Sequence, residues 1–305
     1  MNENRVAGAM MNDKWIVGTG MQRSGKRLVN AGKLKLVLLF IIYHSSFITG
    51  NAQSPYALKT GRELTWLGVG AVTLGTSAVL RNNTDPLTPT DVLALSPASI
   101  NALDRTATER FSAGAAHLSD ATAVGNAGIL GVLTLVASPM RQDIKTIAVM
   151  YIETVFLANG VEGTTKGLTQ RVRPFVYNPA VPLADKLNRD ARLSFFSGHA
   201  ANAFATAVFT GEVFRHYFPR SKLKPVVWIG SLGLATATAV LRYEAGKHYP
   251  TDLLAGAAFG SLVGWGIPKL HEVKNKTELG RRLDVQPWST GQANGIYLSL
   301  AVFSR

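Results

Sequence analysis

The chain of 305 residues is apolar and basic, with 47% hydrophobic residues, 17% charged residues and a formal net charge of +13. It lacks cysteine, which excludes disulfide bonds, zinc–thiolate sites and thiol catalysis. The positive charge favours anionic partners, namely phosphoesters, anionic membrane surfaces or nucleic acid, and nucleic acid is the least favoured because no nucleic-acid-binding motif is present.

The first 52 residues have the pattern of an export signal. Four basic side chains between positions 26 and 35 precede the apolar run Leu36–Tyr43, and the small residues Gly50 and Ala52 follow it. A basic flank, a short apolar run and small residues at the exit are typical of a signal cleaved after Ala52. A hydrophobic helix of the folded domain is the alternative interpretation.

Six apolar segments rich in alanine and glycine follow, each long enough for a helix. They are Leu64–Leu80, Ala121–Met140, Thr146–Gln170, Gly198–Tyr217, Val226–Leu241 and Thr251–Pro268. The tail differs, because residues 284–288 and 296–303 fit the two strands of a β-hairpin. The sequence therefore predicts an all-α fold, a bundle of about six helices, with a short C-terminal β-hairpin. The predicted domains are 1–52 (basic region and export signal), 53–268 (helical domain) and 269–305 (basic linker and tail).

The first of three polar clusters contains two cations before a proline. Lys166 and Arg173 are seven residues apart, and Pro174 follows. On one helix they would share a face about 10 Å apart, with the helix ending at Arg173. Such a pair is suited to binding an anion, because arginine donates paired hydrogen bonds to phosphate and lysine adds a point charge. A solvated basic helix end is the alternative.

The second cluster is Ser197-Gly198-His199, at the start of an apolar segment. A helix that begins there offers a hydroxyl, free backbone N–H groups and the positive end of its dipole, which all attract an anion. His199, in the first turn, could pass a proton to a leaving group. A serine N-cap followed by a structural histidine is the alternative.

The third cluster contains Arg242, His248 and Asp252. Pro250 suits the first position of a helix, which places Asp252 in the first turn and His248 just outside it. The spacing predicts that one ring N–H of His248 reaches Asp252, which would leave the other nitrogen free to attack. Arg242 closes the preceding helix and could reach the same space. A structural His–Asp cap with an unrelated arginine is the alternative.

Together, Lys-x6-Arg-Pro, Ser-Gly-His and Arg-x5-His-x3-Asp resemble the three-part pattern of the type 2 phosphatidic acid phosphatase (PAP2-like) and vanadium haloperoxidase superfamily. The resemblance implies a helical phosphatase in which His248 is the nucleophile and forms a phosphohistidine. It also implies that Asp252 orients His248 and that His199 acts as acid and then base. The implied phosphate-binding residues are Lys166, Arg173, Ser197, Gly198 and Arg242.

Two positions depart from the family pattern. Phe196 stands where the family usually has proline, and Leu241 stands where it usually has serine. The first could change the geometry of the loop or the fit of the substrate, and the second removes at most one supporting hydrogen bond. No acidic cluster suited to Mg²⁺ or zinc accompanies the motifs, so a route without metal or other cofactor is predicted.

The hydropathy pattern bears on location in two ways. Several segments approach spanning length, yet Glu153 and Glu212 interrupt two of them. The basic linkers Arg141–Lys145 and Arg215–Lys224 are typical of cytoplasmic loops, which would place the three motifs on the opposite face. We expect an exported protein of the cell envelope, membrane-embedded or periplasmic, with its site facing outside the cytoplasm. Membrane embedding is slightly favoured.

The predicted function is hydrolysis of a phosphomonoester or pyrophosphate, on a phosphorylated lipid or a small phosphoester. A vanadate-dependent haloperoxidase would use the same residues, with His248 bound to vanadate. A catalytically silent envelope protein that binds anionic lipid is the non-enzymatic alternative.

Overall fold

The computed structural model describes residues 54–273, 283–289 and 294–300, so the predicted export signal lies outside the described residues. The described part of the chain contains six helices of at least 20 residues. They are α1 (Thr60–Asn82), α2 (Ala113–Val136), α3 (Ile144–Thr169), α4 (Gly198–Tyr217), α5 (Lys224–Glu244) and α6 (Pro250–His271). The predicted all-α bundle is confirmed.

Short helical turns and two strands complete the described elements. The short α-helices are Pro89–Ala94, Ala102–Arg105, Ser138–Gln142, Pro174–Tyr177 and Leu183–Lys186, and the 3₁₀ turns are Pro97–Ser99, Thr106–Glu109 and Arg189–Arg192. Strands β1 (Leu283–Ser289) and β2 (Asn294–Leu300) pair antiparallel, with Val285 opposite Leu298. They lie in the tail segment for which the sequence predicts a hairpin.

Helix α4 is the centre of the bundle, where it packs against α2, α3, α5 and α6. Its contact with α6 is close because Gly256, Gly260 and Gly264 recur every fourth residue and so share one helix face. A Cβ atom on Gly260 would lie 2.1 Å from the carbonyl oxygen of Ala201. The small residues therefore let the two backbones touch, as in helix pairs within membranes.

Two of the apolar clusters in the described residues show how the bundle and its loops pack. The larger is built around Met140, Met150 and Phe209. The smaller contains Phe175 and Val181 and packs the loops at the end where the polar clusters lie. The site is therefore built on loops and helix ends that a rigid bundle supports.

Five of the long helices in the described residues, α1, α2, α3, α5 and α6, are long and apolar enough to cross a membrane. Large apolar side chains such as Val72, Ile229 and Leu254 are exposed on their outer faces. Glu153 and Glu212, by contrast, are buried inside the bundle. This arrangement supports membrane embedding, because carboxylates inside a membrane protein face the bundle interior.

Candidate active site

The two cations of the first cluster do not lie on one helix face. Helix α3 ends at Thr169, and Gln170 adopts a left-handed backbone with φ of 44°. Arg173 is extended, with ψ of 152°, as expected for a residue before proline. The prediction of a shared helix face is therefore wrong, because the left-handed cap at Gln170 turns the chain away before Arg173.

Tertiary contacts bring Arg173 back into the site. Its Nε donates to the carbonyl oxygen of Asp190, and its Nη2 donates to the Asp190 carboxylate, both at 2.8 Å. Its Nη1 donates to the carbonyl oxygen of Lys247 at 2.9 Å. Burial alone would raise the pKa of Asp190, but Arg173 and then Lys166 outweigh it and lower that pKa. Arg173 is thus a buried, fixed cation beside an ionised partner.

Lys166 links the first cluster to the second. It is buried and forms an ion pair with Glu162, one turn earlier on α3. Glu162 in turn lies against Gly198, where an added Cβ atom would be 2.6 Å from the Glu162 Oε1 atom. A side chain at position 198 would therefore collide with the carboxylate that holds Lys166.

The start of α4 is as the sequence predicts. Ser197 is the N-cap, and its Oγ accepts a hydrogen bond from the backbone N–H of Ala200 at 3.3 Å. His199, in the first turn, has its Nε2 2.9 Å from the Oδ1 atom of Asp120 on α2. The predicted segment begins at Ala121, so the sequence reasoning missed this partner. A signal was available, because Asp120 is the only Asp, Glu, Lys or Arg between residues 113 and 136.

Arg242 reaches the same region from the last turn of α5. Its Nη1 donates to Ser119 Oγ at 3.3 Å and lies 3.8 Å from Asp120 Oδ1. Its Nε is buried and has no hydrogen-bond partner among the described residues. A buried donor without a partner is costly, so Arg242 has a donor free for an anion.

Gly246 makes the turn that carries the chain from α5 to His248. Its φ of 66° is in the left-handed region, and an added Cβ atom would lie 2.1 Å from the carbonyl oxygen of Arg110. Its own carbonyl oxygen accepts from the backbone N–H of Phe175 at 2.9 Å. The loop before His248 is therefore attached to the segment that follows Arg173.

His248 is buried with its two ring nitrogens in different surroundings. Its Nδ1 lies 2.9 Å from the carbonyl oxygen of Ser194, which can only accept, so Nδ1 carries the hydrogen. The neutral ring then has its lone pair on Nε2, which lies 3.3 Å from Nη1 of Arg173. Burial, and then the charges of Arg173, Lys166 and Arg242, hold the pKa of His248 well below its usual value of 6.5. An uncharged nitrogen therefore faces the cations.

Asp252 acts on His248 through a third residue. Its Oδ2 lies 3.6 Å from His248 Nδ1, so the predicted hydrogen bond between the two side chains is not formed. Instead, Asp252 accepts from Ser194 Oγ at 2.5 Å and from the backbone N–H of Tyr249 at 3.0 Å. Asp252 thus fixes Ser194, and the carbonyl of Ser194 holds the ring.

A second buried network supports Asp252 from the other side. Arg171 donates to Asp252 Oδ1 at 2.5 Å and to Asp104 Oδ2 at 2.8 Å, and it lies 4.0 Å from the centre of the Tyr249 ring. Asp104 also accepts from the hydroxyl of Thr251 at 2.7 Å. Neither Arg171 nor Asp104 was identified from the sequence, since each has its partners far along the chain.

Comparison with known proteins shows which family these residues resemble. The sequence profile described as the PAP2 superfamily matches residues 147–276, which contain all three clusters. A lipid A 4′-phosphatase from Bacteroides thetaiotaomicron is 36% identical over 103 residues, which are 32% of this chain and 41% of that protein. A decaprenylphosphoryl-5-phosphoribose phosphatase from Mycobacterium tuberculosis is 30% identical over 136 residues, which are 45% of this chain and 66% of that protein.

The chain thus spans less than two thirds of the length of these curated relatives. The solved structures include a transmembrane PAP2 type phosphatidylglycerolphosphate phosphatase from Bacillus subtilis, which aligns with 78% of this chain and 94% of its own. The two are 19% identical, with a TM-score of 0.38. Residues 147–276, which include every predicted site residue, are therefore similar in sequence to the PAP2 superfamily.

Proposed function

We propose that the protein is a phosphatase that hydrolyses a phosphomonoester or pyrophosphate of a lipid through a phosphohistidine on His248, without a catalytic metal. One observation carries the proposal. The lone pair of the buried His248 Nε2 is directed by the Ser194 carbonyl to a position 3.3 Å from Arg173. A neutral imidazole facing a buried guanidinium is suited to attack on an anion that the cation holds.

In the first step, His248 Nε2 forms a bond to phosphorus while the bond from phosphorus to the leaving oxygen breaks. Lys166, Arg173 and Arg242 stabilise the charge on the phosphoryl oxygens, and the Ser197–Gly198 turn adds the N-terminus of α4. His199 gives a proton to the leaving oxygen. The Nδ1–H group keeps its hydrogen bond to the carbonyl oxygen of Ser194, and this oxygen stabilises the positive charge of the phosphorylated ring.

In the second step, water replaces the enzyme nitrogen. His199, now neutral, takes a proton from water, whose oxygen attacks phosphorus as the bond to His248 Nε2 breaks. Inorganic phosphate leaves, and both histidines return to their starting states. Asp120 would stabilise the imidazolium of His199 in the intervals when it is charged, because the carboxylate lies 2.9 Å from its Nε2.

A lipid substrate is supported by three features. The relatives are named for lipid A 4′-phosphate and a decaprenylphosphoryl compound. The outer faces of the helices expose large apolar side chains, as a membrane protein does. An open cleft of about 280 Å³ lies beside the site and is lined by Phe111, Phe175 and Lys247 among others. The basic linkers at the far end of the bundle would place the site outside the cytoplasm.

The test is phosphate release by the full chain in detergent, over a panel of phosphatidic acid, phosphatidylglycerol phosphate, undecaprenyl pyrophosphate, lipid A and a soluble aryl phosphate. We expect turnover of at least one lipid and a loss of about 10³-fold or more in His248→Gln. Brief mixing with ³²P-labelled substrate should leave acid-labile, base-stable label on the parent chain and none on this variant.

His216→Gln is the matched control, because His216 lies at the other end of α4, where its Nε2 is 3.0 Å from Glu272. It should retain the parent turnover and label. Absence of turnover on the whole panel, or equal turnover in His248→Gln, contradicts the proposal. Halide oxidation that needs vanadate and peroxide would instead identify a haloperoxidase.

A further inference from the structure

Three buried ionisable residues meet at the end of the bundle away from the PAP2 motifs. Glu63 belongs to α1, Glu153 to α3 and His271 to α6, and one oxygen or nitrogen from each lies within 4.8 Å of the others. Their exposed fractions are 8%, 0% and 0%. Glu153 precedes Lys166 by thirteen residues of the same helix, which is about 20 Å along its axis. The cluster is therefore separate from the phosphatase site.

The imidazole of His271 presents a bare nitrogen to the two carboxylates. Its Nδ1 lies 2.8 Å from the carbonyl oxygen of Ile267, which can only accept, so the neutral ring carries its hydrogen on Nδ1. Nε2 then carries the lone pair, and it lies 3.1 Å from Glu63 Oε1 and 3.2 Å from Glu153 Oε2. Neither contact has hydrogen-bond geometry. Three acceptors thus converge without a donor between them.

The charges of the two carboxylates are unequally compensated. Glu63 Oε1 accepts from Arg62 at 2.8 Å and from the backbone N–H of Lys59 at 3.0 Å. Both oxygens of Glu153 are buried and have no hydrogen-bond partner among the described residues, and Glu63 Oε2 is in the same condition. A buried carboxylate without a partner is strongly destabilising. A cation bound between these residues would remove that cost.

The distances from the His271 nitrogen to the two carboxylate oxygens fit a metal ion. Two ligands bonded at about 2.0–2.2 Å to one tetrahedral or octahedral ion lie roughly 3.0–3.5 Å apart. The two nitrogen–oxygen distances in the cluster fall in this range. One imidazole and two carboxylates, without thiolate, suit a first-row divalent ion such as Zn²⁺.

We propose that Glu63, Glu153 and His271 bind one divalent transition-metal ion, with Zn²⁺ as the reference ion, and that this ion joins α1, α3 and α6. The hydrogen bond from Nδ1 to Ile267 orients the ring for it, as a carbonyl partner commonly does for a metal-bound histidine. The ion stabilises the bundle and takes no part in phosphoryl transfer, since the motif residues lie at the opposite end.

The test measures metal content and stability in the full chain, purified in detergent through a tag without histidine from cells supplied with Zn²⁺. We expect about one Zn²⁺ per chain in the parent, and about a tenth of that or less in His271→Gln and Glu153→Gln. Prolonged chelation should lower the unfolding temperature of the parent by several degrees, and Zn²⁺ should restore it. Cobalt loading should give visible absorption in the parent alone.

His216→Gln is the control, because it removes a histidine from the same end of the bundle outside the cluster. It should keep the metal content of the parent. Should a variant fail to fold, the chelation and cobalt results on the parent decide the question. The proposal would be wrong if the parent carries less than about a tenth of a Zn²⁺ ion per chain and its unfolding temperature changes with neither chelator nor Zn²⁺. The three residues would then form an imidazolium–carboxylate ion pair.

Discussion

The carboxylate of Asp120 on α2 lies 2.9 Å from Nε2 of His199 at the start of α4, although 79 residues separate them in sequence. Asp120 also lies 3.8 Å from Arg242 at the end of α5. One carboxylate thus joins three helices at the site. Because Asp120 lies beside Nε2 of His199, the proposed mechanism would use the other ring nitrogen, Nδ1, to exchange protons with the substrate.

Replacing Asp120 by asparagine should slow the reaction without removing the phosphate-binding cations. The amide cannot stabilise the imidazolium, so we expect kcat/KM, which reports the step in which the leaving group departs, to fall about 10- to 100-fold through weaker general acid catalysis. The loss should be larger for an alkyl phosphate than for 4-nitrophenyl phosphate, whose leaving group needs no proton. Equal losses for both would show that Asp120 is merely structural. Asp143→Asn, at the far end of the bundle, is the control.

The lowered pKa of His248 predicts a pH dependence. A protonated ring cannot attack, and because its folded-state pKa lies below 6.5, the ring should remain neutral as the pH falls through that value. Nitrogen NMR of ¹⁵N-histidine-labelled protein, with the signal assigned by its loss in His248→Gln, should show titration below pH 6.5.

The cause of the shift can be tested in the same experiment. Lys166→Met removes one of the cations that oppose protonation, so it should raise the pKa of His248. Lys269→Met, at the other end of the bundle, should leave it unchanged. Titration of His248 at or above pH 6.5 in the parent would contradict the assignment of a neutral nucleophile.

Asp104 should be essential for stability although it lies outside the motifs. It is fully buried and accepts from Arg171, Thr251 and Asn101. Asp104→Asn leaves Arg171 with one carboxylate, and because Arg171 is 27% exposed the cost should lie below the roughly 3–5 kcal/mol of a fully buried pair. Thermal unfolding in detergent measures the loss.

The matched control for Asp104 is Glu244→Gln. Glu244 pairs with Arg110 at 3.2 Å, but both side chains are largely exposed. Exposed pairs are screened by solvent and salt, so the unfolding midpoint should not change. Similar midpoints for Asp104→Asn and the parent would show that the network around Arg171 contributes little.

The contact between α4 and α6 predicts a sharp difference between two glycines of the same helix. In Gly260→Ala the new Cβ atom would meet the backbone of Ala201, which cannot move unless the helices separate. Overpacking of this kind costs about 1–3 kcal/mol or more. At Gly266 nothing lies within 4 Å of the added atom, so Gly266→Ala should be neutral or slightly stabilising. Equal unfolding midpoints for the two variants would refute the close packing.

The sequence by itself determined the features that depend on neighbouring residues. Ser197 caps a helix and Pro250 begins one, because capping and the fixed φ of proline are local effects. The order and spacing of the three clusters indicated the family that residues 147–276 resemble, and apolar runs located the six long helices. The apolar segment ended within one residue of the end of α3, but the expected continuation of the helix to Arg173 was wrong, because the left-handed conformation at Gln170 has no strong signal in the residue type.

Only the tertiary structure decided which side chains accompany the motif residues. Glu162, Asp190 and Asp120 each lie beside one of the three cations, and Ser194 rather than Asp252 holds the ring of His248. Such pairings depend on how helices and loops distant in sequence pack against one another. Local patterns of hydrophobicity and capping carry no information about that packing, since the same pattern is compatible with many neighbours.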